Sequence, residues 1–148
     1  MRFDHLYCNR NCVRGNHSLL FLISDIACIG IASVLYAVNK LFLCSLRIVF
    51  FDWYFNDILA GIFFLAYTNL LLCPAKKRLN GFFSNLLYIL CWGLAWEYVI
   101  PDFLPVNATS DIWDVAAYLT GGTIYATLMA ILQKFQRNAT GNPQSDLR

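Results

Sequence analysis

Six carboxylates, Asp52, Asp57, Glu97, Asp102, Asp111 and Asp114, lie at the ends of apolar stretches in a chain with only 9 Asp and Glu. Acids near or within membrane spans cost free energy, so they tend to face a bundle interior and mark function. Without neighbouring His or Cys they are hard oxygen ligands, suited to Mg²⁺ or Ca²⁺, and Asp57, Glu97 and Asp114 are the candidate ligands. Paired carboxylates could instead exchange a proton, because like charges at short range favour keeping one of them protonated. A third possibility is recognition of a cationic or polyhydroxylated headgroup. No Gly-x-Ser-x-Gly, Ser-x-x-Lys or His-Glu-x-x-His pattern occurs in the sequence, so no catalytic residue is assigned.

The elements that must position these acids follow from composition. Of 148 residues, 59% are hydrophobic and 14% charged, against roughly a quarter charged in soluble domains. The chain reads as an all-α integral membrane protein forming a single domain. Apolar stretches at 19–38, 57–73, 82–100 and 112–132 are each long enough to span. Residues 41–55, apolar but with Lys40, Cys44 and Arg47 on one stripe, suit an amphipathic helix lying in the headgroup plane. A net charge of +2 offers no basic face for nucleic acid.

Charge orients the bundle. Basic residues collect before the first span, at Lys76, Lys77 and Arg78, and after the fourth span, the pattern of segments on the cytoplasmic side. Both the N-terminal segment 1–18 and the tail 137–148 are therefore expected in the cytoplasm of a cell whose inner membrane holds the chain. The acids then fall on the outer side.

On the fourth helix Asp111, Asp114, Tyr118 and Gly121 share one face, and Asp57 shares its face with Gly61 as Glu97 does with Gly93. Small residues one turn deeper let helices approach closely beneath the acids, so Gly61, Gly93 and Gly121 are the candidate packing positions. Arg47 could engage a phosphate or neutralise one acid. Acids at helix N-termini also complement the macrodipole, which explains Asp57 and Asp111 without any ligand. Glu97, near a helix C-terminus, needs a partner. Asp25 lies inside the first span with no membrane-embedded base in view, and is expected as a protonated or hydrogen-bonded acid against another helix, with a proton relay as the sharper alternative. His5, Cys8, Cys12 and His17 have a loose, non-diagnostic spacing for zinc.

The stretch EYVIPDFLPVNATSDIWDVAAYLTGG, Glu97 through Gly122, resembles the second half of the VanZ-like small bacterial membrane proteins. Glu97 matches that family's glutamate, Asp114 its aspartate and Gly121 its glycine, while Tyr118 stands where the family has asparagine and the intervening basic residue is missing. Asn56 and Asp57 are similar to an aspartate at an earlier helix start. A looser likeness exists to small membrane proteins described as magnesium or citrate transporters. The VanZ resemblance implies a bacterial envelope protein connected with glycopeptide tolerance, without a defined reaction. Three functions follow as expectations: binding of a membrane lipid or lipid-linked cell-wall precursor by the acids, with or without a divalent cation; small ion-coupled transport; and a structural membrane subunit.

Overall fold

The computed structural model describes the backbone of residues 4–46, 48, 50–79, 81–103 and 111–139, and within the first helix it describes side chains from Leu19 onward. Five α-helices are described: α1 (Asp4–Leu41), α2 (Phe55–Leu72), α3 (Phe82–Leu94), the short α4 (Ile100–Phe103) and α5 (Ile112–Ala139). Within them, Leu19–Leu41, Phe55–Leu72 and Ile112–Gln136 are long and apolar enough to cross a membrane.

From Leu19 onward only Asp25, Cys28, Ala32 and Asn39 of α1 are buried, a single stripe at helical spacing. The rest of the helix exposes Ile23, Ile26, Ile31 and Val34. So apolar a surface on an isolated helix face suits hydrocarbon rather than water. The chain is thus an all-α protein of the multi-pass membrane type.

The third stretch departs from a uniform span. Three turns of α3 give way to a π-helical segment, Ala95–Val99, which runs directly into α4. Proline at position 101 supplies the reason: it has no N–H with which to continue the α-helical ladder. Widening the preceding turn keeps the path helical through a residue expected to stop it. Among the described residues of 41–55, where an amphipathic helix is expected, no single helix runs the length of the segment. A 3₁₀ turn, Leu43–Leu46, and a π turn, Phe50–Tyr54, occupy the described part of it. Asn39 draws this connection back, its Nδ2 donating to Phe51 O at 2.8 Å and to Asn56 Oδ1 at 2.9 Å. These bonds set α1 and α2 level at this end.

α2 is the central helix, packed between α1 and α5, while α3 packs chiefly on α5. A Cβ on Gly61 would collide with the backbone carbonyl of Tyr118, and one on Gly121 with that of Ile58. The two helices therefore cross backbone to backbone. In a bilayer such contact stabilises through dispersion rather than exclusion of water. Below the crossing, Leu65, Ala66 and Ile89 are fully buried, with Gly122 making room for Ile89 and Leu65. Cys28, Tyr118, Tyr125 and Met129 complete this core.

Candidate functional site

Along α5 the layers run from Asp114 through Tyr118 and Gly122 to Tyr125, so polar groups lie on both sides of the apolar core.

At one end the acids converge. Asp57 interacts electrostatically with Asp114 and Glu97, and side chain to side chain with Tyr118. Glu97 interacts with Asp114 and Asp111, and its carboxylate accepts the backbone N–H of Asp111. Asp111 also caps α5: its Oδ1 accepts the Trp113 N–H at 3.0 Å, the geometry of an N-cap. Glu97 is 8% exposed and Tyr118 4%. Three elements, α2, the π segment after α3, and α5, thus bring their carboxylates to one end. The glycines act beneath them: Gly61 and Gly121 form the crossing, and Gly93 lies against the Tyr118 ring, where a Cβ would come within 3.2 Å of Cδ2.

Among the described residues, no three His, Cys, Asp or Glu side chains stand close enough together to hold a metal ion. Asp57, Glu97 and Asp114 are near enough to repel one another but do not form a three-ligand cage, and no metal chemistry is derived. Each acid sits on a different helical element, and the Tyr118 ring stands among them. Arg47 lies outside the described residues, and so do the side chains of His5, Cys8, Cys12 and His17.

Beside the acids is a half-open cavity of about 400 Å³, in the size range of small-molecule sites. Its polar lining comes from Asn56 and Asp57 of α2, Tyr118 of α5, and Ser33 and Tyr36 of α1. Lys40 Nζ lies 5.9 Å from the centroid of the Tyr36 ring. The cavity was not legible in the sequence.

At the other end Asp25, 1% exposed, is hydrogen-bonded against another helix, as expected, and it also has a base, which the sequence reading did not place beside it. Arg78, from the loop between α2 and α3, grips it bidentately, with Nη1 at 2.7 Å from Oδ2 and Nη2 at 2.9 Å from Oδ1. Tyr125 donates to Oδ1 at 2.6 Å and accepts from Arg78 Nη2 and from Asn69 Nδ2, at 3.0 and 2.9 Å. Asn69 Oδ1 accepts the Leu79 N–H at 2.8 Å, and the Phe21 ring lies 4.6 Å from the guanidinium carbon. The expectation of an acid without a base is corrected. A long arginine side chain can leave an aqueous loop and carry its charge into the bundle, and a buried carboxylate requires such a partner. Those two facts, with Arg78 and Asp25 assigned to one side by the charge pattern, were the available signal. Tyr125 and Asn69 gave none beyond their polarity.

Comparison of the chain with protein-family models, curated proteins and solved structures finds no match, so the VanZ-like likeness rests on the residues named for it.

Proposed function

We propose that this chain binds, through Asp57, Glu97, Asp111, Asp114 and Tyr118, the cationic or polyhydroxylated headgroup of an envelope lipid or lipid-linked cell-wall precursor. The observation that carries this reading is that Asp57 and Tyr118 belong at once to the acidic cluster and to the wall of the cavity. Carboxylates set against one another without a metal cage gain most from a ligand that brings positive charge or several hydroxyl donors. The helical path over 82–103, α-helical on either side of its π segment, is long enough to serve as a fourth span. With four spans, the charge pattern puts the acids on the outer face of a bacterial inner membrane and both termini in the cytoplasm, in keeping with the VanZ-like resemblance.

Ion-coupled transport would need a polar route from the acids to Asp25. The buried layer of Leu65, Ala66 and Ile89 lies between the two, and Asp25 is already committed to Arg78, so binding is favoured over flux. A purely structural subunit would tolerate neutral residues at the acids.

The test compares lipids retained by the wild type with those retained by a Glu97→Gln, Asp114→Asn double variant, both purified in mild detergent at equal yield and extracted for mass spectrometry. The expected result is a lipid with an amine or polyol head on the wild type, depleted at least tenfold in the variant. Identical lipid profiles would overturn the reading.

A further inference from the structure

We infer that the cavity between α1 and α2 seats the hydrocarbon chain of an amine-headed membrane lipid, whose ammonium group reaches the carboxylates at Asp57. This deepens the headgroup reading and rests on it.

The first argument is an interruption in a pattern. The buried stripe of α1 runs through Asp25, Cys28, Ala32 and Asn39, and the turn that should continue it between Ala32 and Asn39 carries Leu35 and Tyr36. Yet Leu35 is 38% and Tyr36 49% exposed. Contact between the helices is therefore made on both sides of this turn and missing at it. The Asn39 to Asn56 bond closes the gap at one end, and the buried Ala32 closes it at the other. What remains is an opening one turn long in the flank of the bundle, at Tyr36 on α1 and Trp96 on the π segment, each about half exposed.

The second argument is the gradient of polarity inside the cavity. Tyr36, Asn56 and Asp57 lie at the level fixed by the Asn39 to Asn56 bond, next to the end of the bundle. Ala32, Ala60, Phe63 and Phe64 line it farther along both helices, towards the middle of the span, together with Ser33, whose hydroxyl is already donated to Ile29 O at 2.8 Å. Polar towards the surface and apolar towards the bilayer centre is the ordering of a lipid molecule. A soluble cation would have no use for the apolar half, and a chain without a charged head would have none for Asp57. Charge complementarity selects the head: carboxylates match an ammonium, and Lys40, 5.9 Å from the Tyr36 ring, offers a cation near the cavity for the phosphate of the same lipid. An aperture in the flank of a membrane-embedded bundle admits a ligand that is already in the bilayer.

Trp96 lines the cavity, and Trp92 stacks on it with ring centroids 6.4 Å apart, so the site carries its own reporter. In lipid nanodiscs, with Trp53→Phe and Trp113→Phe removing the two other tryptophans, fluorescence is compared between discs holding equal fractions of a lipid with brominated chains. One series uses phosphatidylethanolamine and the other phosphatidylglycerol. Quenching by the ethanolamine lipid is expected at about three times the level of the glycerol lipid. Ser33→Phe, and separately Ala60→Leu, fill the cavity from opposite walls and should erase the preference at unchanged helix content, as should Asp57→Asn.

Equal quenching by the two lipids in the tryptophan-reduced protein overturns the inference. So does a preference that survives both cavity-filling variants. If Asp57→Asn alone removes it, the headgroup reading stands without the chain site, and if all three variants keep it, both readings fall.

Discussion

Asp25 and Asp57 are both aspartates on apolar helices, and the molecule treats them in opposite ways. Asp25 receives a bidentate arginine, a tyrosine hydroxyl and, through that hydroxyl, an asparagine amide. The charge is neutralised and the surrounding donors are used. Asp57 instead faces Asp114 and Glu97 and opens onto a cavity. Repulsion that is retained in a folded protein lowers its stability, and natural proteins accept such a loss where a ligand relieves it. The first end is built as a clamp and the second as a receptor.

The largest effect is expected where the clamp is broken on one side only. Arg78→Leu leaves a buried carboxylate without its counter-charge and should destabilise the protein by about 3–5 kcal/mol, read as a fall in the thermal unfolding midpoint in detergent. Removing both charges, with Asp25→Leu added to Arg78→Leu, should restore most of that loss. A double variant as unstable as the single one would show that the node matters through something other than charge.

Next comes the crossing that holds the two ends in one frame. Gly121→Val forces α5 away from the Ile58 carbonyl and should cost about 1–3 kcal/mol through overpacking, with loss of lipid retention as the acids separate. Retained lipid at wild-type levels would detach the acidic site from the crossing.

At the receptor end the sign reverses. Asp114→Asn removes a repelling charge and should raise stability, by about 0.5–2 kcal/mol, while weakening lipid retention. Moderate salt should narrow that difference only in part, because Asp114 is half-buried and such charges are screened less than exposed ones, and should leave the Arg78 clamp nearly unchanged. A fall in the unfolding midpoint of Asp114→Asn would mean that the cluster is a stabilising network and not a repulsive one.

The smallest effect concerns Asp111, whose role as a cap is separable from its charge. Asp111→Ser keeps an acceptor for the Trp113 N–H and should change stability by only a few tenths of a kcal/mol, whereas Asp111→Ala should cost about 0.5–2 kcal/mol. Equal losses in the two variants would assign the residue to the charge cluster instead.

Helical class, the positions of three long apolar helices and the presence of acids at their ends were all written in local pattern. Hydropathy and helical spacing are properties of neighbouring residues, so 59% hydrophobic residues and the placement of Asp57, Glu97 and Asp114 were legible without coordinates. The widening before Pro101 was legible only as a stop, because a proline in sequence does not say whether the preceding turn will yield. The pairing of Asp25 with Arg78 was decided by tertiary structure: 53 residues separate them, and only the folding back of α2 on α1 brings a loop arginine into the bundle. The cavity was decided in the same way. It exists because α1 and α2 meet on either side of Tyr36 and not at it, and the space between two surfaces belongs to neither sequence segment alone.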